Sequence, residues 1–377
     1  MRLNYDPRRV MRALFSSTLL FILSFGFSLN ASGEALHPDR KQVISSQVIA
    51  NLLRQYHYNH QRINDRVSSE WLDLYLDRLD RHRLYFLASD IAQFEKYRYL
   101  LDDYIRSGNM DPPFLIFNTF KVRLSQRVNF VQKQLDRGFD FSIDETYQID
   151  RSKEPWVESV RELDEIWRKK LKNEALNLKL SGRDWAAVQK NLRKRYTNFQ
   201  KRIEQYNTED VFQLFMNALA ETFDPHTSYF SPITSENFGI DMSLSFEGIG
   251  AQLTTEDDYT KVVRILPGGP ADRSKQLWAN DKIVGVAQGE HGEMVDVIGM
   301  RLDDVVQKIR GPKGTVVRLE VIPAGSPAGS PTKEISLVRD KVILEERAAK
   351  SDTIELVHQG RKYKIGVIDV PAFYVDL

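Results

Sequence analysis

The feature that most constrains the fold is a change of period near Phe223. Upstream, from about residue 38, apolar residues recur at helical spacing and glycines are few. Downstream, past the turn-rich stretch Asp224-Pro225-His226-Thr227-Ser228-Tyr229, they alternate in short runs punctuated by glycine through about Val338. A period of 3.6 builds bundles and a period of 2 builds sheets, so the chain divides at this turn into an all-α part and a β-rich part. At 377 residues with 42% apolar side chains, both parts can bury a core.

In the first part Leu72, Tyr75, Leu76 and Leu79 fall at i, i+3, i+4 and i+7, the stripe of one helix face. Asp111 before Pro112 reads as an N-cap and first-turn pair. The helix it opens carries Phe117, Phe120, Leu124, Val128, Val131 and Leu135 on one face, and Gly138 stops it. A further stripe starts at Trp156, Val160, Leu163 and Trp167; two more run from Trp185 to Tyr206 and from Phe212 to Leu219. Five or more helices are expected over residues 38–225. Lys and Arg outnumber Asp and Glu between Arg151 and Arg202, but the aromatics there sit on the apolar stripes. This favours a solvated outer face over a nucleic-acid or anionic-lipid face.

In the second part the strand candidates are Ala251 to Thr254, Thr260 to Ile265, Lys282 to Val286, Val316 to Ile322 and Glu334 to Val338, with a helix at Arg301 to Ile309. The stretch Pro323 to Thr332, rich in Pro, Gly, Ala and Ser, reads as a long hairpin loop. After a turn near Ser351, Lys364 to Val370 is an apolar, β-branched strand with no evident partner, expected to be the start of a further domain over residues 341–377 whose remainder is missing.

Charge and cysteine narrow the partners. Lys plus Arg (53) nearly equals Asp plus Glu (52), which nominates no polyanion. The absence of cysteine excludes disulfides, thiolate zinc sites and a cysteine nucleophile. Seven scattered histidines show no ligand spacing, so no metal or cofactor is expected; His57 and His60 are i, i+3 on a possible helix without a third ligand, and His226 reads as a structural turn. Residues 1–35 read as a signal peptide: Arg2, Arg8, Arg9 and Arg12, an apolar stretch from Ala13 to Leu29, then the small residues Ala31, Ser32, Gly33 and Ala35. Cleavage would leave the protein in the periplasm, peripheral to the membrane at most; an uncleaved segment would anchor it in the inner membrane.

The stretch Ser245 to Leu253 carries most about function. In Glu247-Gly248-Ile249-Gly250-Ala251, two glycines around one apolar residue let backbone amides converge on an anion, and the strand that follows offers an edge to an extended peptide. A dinucleotide loop would need a third glycine where Leu253 stands. Gly248, Ile249, Gly250 and Ala251 are therefore candidates to bind a carboxylate. Leu266-Pro267-Gly268-Gly269-Pro270-Ala271, Asn280-Asp281-Lys282-Ile283, the helix and Gly311-Pro312-Lys313-Gly314-Thr315 follow in an order that resembles the PDZ domains of bacterial proteases, here over residues 238–340. On that resemblance Leu302, Val305 and Ile309 line a pocket for the terminal side chain, or pack the core, or both. Asn280 stands where a glycine is usual, and Asn tolerates the left-handed conformation.

With Leu84-Tyr85-Phe86-Leu87, Phe223-Asp224-Pro225-His226-Thr227-Ser228-Tyr229, Ile365-Gly366-Val367 and Pro371-Ala372-Phe373-Tyr374, the chain from about residue 40 to Leu377 resembles the carboxy-terminal processing peptidases, in particular the tail-specific proteases of Gram-negative periplasms. The resemblance implies an α+β multidomain protein: an all-α N-terminal domain, a PDZ domain and the first strands of an α/β protease domain. It implies a serine endopeptidase that recognises apolar C-termini of substrate proteins and cuts with a Ser-Lys dyad. No position here matches that dyad, so the chain is expected to stop before it and to be inactive alone; Ser228 and Ser243 to Ser245 read as caps or turns. Resemblance to enteric relatives also implies a helical-repeat lipoprotein adaptor as partner. Two other readings stand beside it: a non-catalytic exported PDZ binding protein, and a scaffold or chaperone built on the helical domain.

Overall fold

Short polar residues set most helix starts. Asp39 and Gln42 form a reciprocal capping box that opens α1 (Arg40–Tyr56), and Asn64 caps α2 (Asp65–Asp80). Then come α3 (Ala88–Phe94), a 3-10 turn at Glu95–Tyr97, α4 (Leu101–Ser107) and the 27-residue α5 (Asp111–Arg137). Ser159 caps α6 (Val160–Leu180), Asp184 caps α7 (Trp185–Glu204), and Asn207 with Asp210 caps α8 (Thr208–Glu221). These elements come from a computed structural model, which describes residues 34–326, 330–344, 346 and 348–375 and divides the chain into two units after Pro225. Residues 1–33 of the expected signal peptide and positions 327–329 of the Pro323–Thr332 loop lie outside the described residues.

Local hydrogen bonds displace three sequence expectations. Asn109 accepts the Asp111 N–H at 3.1 Å, which starts the turn a residue earlier; Met110 is the N-cap and Asp111 and Pro112 fill the first two positions. Trp156 falls outside α6 because Ser159 accepts the Glu162 N–H and starts the helix there. His57 is the extended C-cap of α1 and His60 has φ +50°, so the two do not share a helix face. His57 Nε2 instead meets Asp224 Oδ2 at 2.6 Å, joining the end of α1 to the exit of α8.

The helical core is aromatic, and its polar edges are tied down. Trp71 stacks on Phe215 at 4.2 Å while its indole N–H donates to the Phe215 carbonyl; Trp167 donates to Leu84 O at 2.6 Å and Tyr75 to Pro113 O at 3.0 Å. Buried Asp80 accepts the amides of Leu84, Tyr85 and Phe86 at 2.6 to 3.0 Å, so one carboxylate fixes the Leu84-Tyr85-Phe86-Leu87 turn. Burial pushes its pKa above the ordinary carboxylate value, against the pull of those amides.

The second unit opens with a helix that hydrophobic period did not reveal. Helix α9 (Pro232–Ser243) is started by Ser231, whose hydroxyl accepts the Thr234 N–H, and by Pro232 at N1, and it buries none of its residues. Strand β1 (Ser245–Gly248) follows, then β2 (Ala251–Glu256) and β3 (Tyr259–Ile265), the short α10 (Pro270–Ser274), β4 (Lys282–Gln288) and β5 (Val295–Asp296). Helix α11 (Leu302–Ile309), β6 (Val316–Ile322), β7 (Lys333–Val338) and β8 (Asp340–Ile343) complete the domain. The sheet runs β2-β3-β4-β6-β7, with β5 added to β4; β1 pairs with β8, which brings the domain's entry and exit together. Alternation on β6 turns Val317, Leu319 and Val321 inward onto Val262, Ile283, Val305, Ile335 and Leu337, an aliphatic core in which each side chain contributes roughly 1.5–3 kcal/mol. Asn280 takes φ +73°, so the turn before β4 keeps its left-handed residue.

The strand expected to be without a partner has one. Strand β10 (Arg361–Asp369) pairs antiparallel along its whole length with β9 (Lys350–His358), from Arg361↔His358 to Asp369↔Lys350. The connection is Gln359-Gly360, both at positive φ, the backbone of a tight hairpin turn. Every position of both strands is exposed, so neither is a buried strand of the kind its composition suggested.

Candidate functional site

Among the described residues the sheet order leaves β2 with one neighbour. It pairs with β3 from Ala251↔Ile265 to Glu256↔Tyr259, with a bulge between Gln252 and Leu253, and its other edge is open to an added strand. The loop that feeds this edge is held from behind. Leu266 N–H donates to Gly250 O and Ala271 N–H to Ile249 O, each at 2.8 Å. With both carbonyls turned back, the Ile249 and Gly250 amides donate to no backbone carbonyl among the described residues. Two glycines make the approach possible: Gly250 has φ +76°, and a Cβ on it would lie 3.0 Å from the Gly269 Cα. The Gly248-Ile249-Gly250 and Pro267-Gly268-Gly269 motifs are thus two sides of one close contact.

In front of the loop lies a cleft of about 460 Å³, bounded by Ile249 to Leu253 on one side and by α11 on the other. From the helix it takes Val306 and Ile309 and from its C-cap Arg310; Ile240, Phe246, Leu266 and Leu344 add apolar wall. Of the three helix residues expected at a pocket, Ile309 is in both the cleft and the core, Val305 is wholly in the core, and half-buried Leu302 is outside the lining. Val306, which sequence reasoning passed over, is the i+4 member of the stripe begun by Leu302 and was available from helical spacing alone. Gly250, Ile249 and Ala251 line the cleft, while Gly248 sits behind them in β1, paired with Asp340.

Two arginines mark the cleft, each already engaged. Arg264 donates to Gln252 and Glu346 at 2.7 Å, and Arg310 donates to Asn237 at 2.9 Å and Glu236 at 3.2 Å. A third, Arg339, is buried and caps the C-terminus of α11 through Lys308 O and Ile309 O, and it also bonds Gln288, Thr315 and Val316. Burial lowers its pKa. It fixes the end of the helix that walls the cleft. Nearby, Lys313, the Lys341 amide and Arg273 hold the Asp340 carboxyl down at about 2.

Chemically the arrangement offers backbone amides, an unpaired strand edge and an apolar trough, the parts that capture an extended peptide by its end. Ser243 closes α9 and Ser245 opens β1. Among the described residues no group of three His, Asp or Glu side chains could hold a metal ion, and no helix is long and apolar enough to cross a membrane.

Comparison with known proteins accounts for both units. Residues 49–233 match the family described as the tail-specific protease N-terminal domain, and residues 239–322 match the PDZ domain. The tail-specific protease of Haemophilus influenzae is 39% identical over 326 residues, which cover 86% of this chain and 46% of that protein. The carboxy-terminal processing protease CtpA of Bacillus subtilis is 34% identical over 122 residues, 32% of this chain and 24% of the relative. Among solved structures, the PDZ domain of a carboxy-terminal protease from Vibrio cholerae in complex with peptide is 52% identical, covers 26% of this chain and 98% of that one, and superposes with a TM-score of 0.25. The chain spans less than half the length of the curated relatives it matches. With an N-terminal domain of the tail-specific proteases followed by a PDZ domain, the chain belongs to the carboxy-terminal processing peptidases.

Proposed function

We propose that this chain recognises the free, apolar C-termini of proteins in the cleft between β2 and α11, as the substrate-recognition part of a tail-specific serine endopeptidase. The observation that carries the reading is the open edge of β2 beside Ile249 and Gly250, whose carbonyls are tied back to Ala271 and Leu266. A peptide added to that edge would extend the sheet by main-chain hydrogen bonds. Its carboxylate would take the two amides, and its last side chain would enter the trough of Val306, Ile309 and Phe246. The carboxylate site is thus Gly248 to Ala251, with Ile249 and Gly250 as donors and Gly248 holding the loop to β8.

Cleavage by a Ser-Lys dyad is proposed of the whole protein from the activity its relatives are named for. The basic and apolar start of the sequence supports a periplasmic location, which would put the cleft among exported substrates. The test of recognition is a titration of the chain with a fluorescent peptide ending in Val, beside the same peptide amidated. Amidation is expected to weaken binding at least about tenfold, since it removes the charge on a hydrogen-bonded acceptor. Equal binding of the two peptides would refute the carboxylate site.

A further inference from the structure

Helix α9 is an extra wall on the cleft, and one of its faces does two jobs. Glu236 accepts from Gln307 Nε2 at 2.6 Å and from Arg310 at 3.2 Å, and Asn237 accepts from Arg310 at 2.9 Å. One turn on, at i+4, Ile240 and Asp241 line the cleft. The residues that bond to α11 and the residues that face the trough therefore share one side of the helix.

The bonds that tie α9 to α11 and its C-cap are polar. None of its residues is fully buried, and half-buried Ile240 faces the trough rather than a closed core. Glu236 holds Gln307 of α11 and the C-cap Arg310 at once, and Arg310, which it steadies, itself lines the cleft over the Phe246 ring. A change in these bonds moves Ile240 relative to Val306 and Ile309, and with it the width available to the peptide's last side chain.

We propose that Glu236 is a specificity-positioning residue: by tying α9 to α11 it sets the width of the terminal side-chain pocket and so selects the size of the last residue the cleft accepts. The inference rests on the reading of the cleft as a C-terminal peptide site. It concerns selectivity, whereas that reading concerns capture of the carboxylate, and the two can be tested apart.

The experiment titrates the full chain and its Glu236→Ala and Glu236→Gln variants with two fluorescent peptides that differ only in ending in Val or in Phe, each also as the amide. In Glu236→Ala the Val-to-Phe affinity ratio is expected to move toward Phe by about tenfold, the scale on which an apolar pocket discriminates size. The free acid should still bind better than the amide, because Ile249 and Gly250 are untouched. Glu236→Gln keeps an acceptor for Gln307 and Arg310 and should return the ratio to within about twofold of the unsubstituted chain. An unchanged ratio in Glu236→Ala, or an equal loss for both peptides, overturns the inference while the site stands. If the unsubstituted chain does not distinguish acid from amide, the reading of the site falls and the inference with it.

Discussion

The two units solve the burial problem with different materials, and the difference explains which of them is free to bind. The helical unit is built around Trp71, Trp167, Tyr75, Phe117 and Phe215, and its indole and phenol groups reach backbone carbonyls. Such a core is specified by direction as well as by volume. The sheet unit is built from Val, Ile and Leu, with no aromatic side chain in its core cluster. Its interior is closed by strand alternation together with Val305 and Ile309 of α11, and it leaves the β2 edge and an apolar trough uncovered beside a loop whose Ile249 and Gly250 amides donate to no backbone carbonyl among the described residues. A core held by hydrogen-bonded aromatics tolerates little rearrangement; a sheet with an open edge is completed by an added strand.

The contrast is most sharply broken at Trp167. Replacing it by Ala in the helical core should cost about 3–5 kcal/mol, since it removes a fully buried indole and leaves Leu84 O without its donor. Denaturant unfolding measures this, and a loss below about 1 kcal/mol would show that the aromatic core is not the source of that unit's stability. Adjacent residues on α11 separate packing from binding. Val305→Ala should cost about 2 kcal/mol of stability, because Val305 is wholly buried. Val306→Ala should cost little stability and weaken a Val-ended peptide about threefold or more, because Val306 faces the cleft. If the two variants lose stability equally, the helix has no separate binding face.

Gly250→Ala tests the loop: at φ +76° with a backbone Cα only 3.0 Å from the new Cβ, it should destabilise the sheet unit by about 1–2 kcal/mol and reduce discrimination between free and amidated peptide. Unaltered discrimination would detach the glycine contact from recognition. The smallest effect belongs to the helical unit's surface. Glu145, bonded by Arg168 and Lys172, is held down at about 2 from an ordinary 4.5. A carboxyl depressed by folding stabilises fully above its unfolded pKa, and that contribution is lost as the pH falls from about 4.5 toward 2. Glu145→Gln should therefore cost up to about 1 kcal/mol at pH 7 and much less near pH 2, measured by thermal unfolding at both.

How much of this was legible in the sequence depended on whether a residue's role is periodic or relational. The helical stripe at Leu72, Tyr75, Leu76 and Leu79 and the alternation on β6 are periodic, and both could be read directly. So could the loop at Gly248 to Gly250, because glycine there marks a backbone need. Helix α9 has no apolar stripe, and only Ser231 and Pro232 announce it. The β9 strand was missed because its partner is legible only once Gln359-Gly360 is recognised as the turn. Arg310, Ile240 and Leu344 come to the cleft from separate elements, and no spacing in the sequence relates them. Arg339 was invisible for the same reason: it acts on the end of a helix 30 residues upstream.

The most direct test of the central claim is amide hydrogen exchange of the full chain with and without a saturating free-acid peptide ending in Val. Added protection is expected at residues 249–254, where the β2 edge gains a strand, and along 302–310, with none of it produced by the amidated peptide. Protection confined to the helical unit, or the same pattern with the amide, would contradict C-terminal capture at this edge.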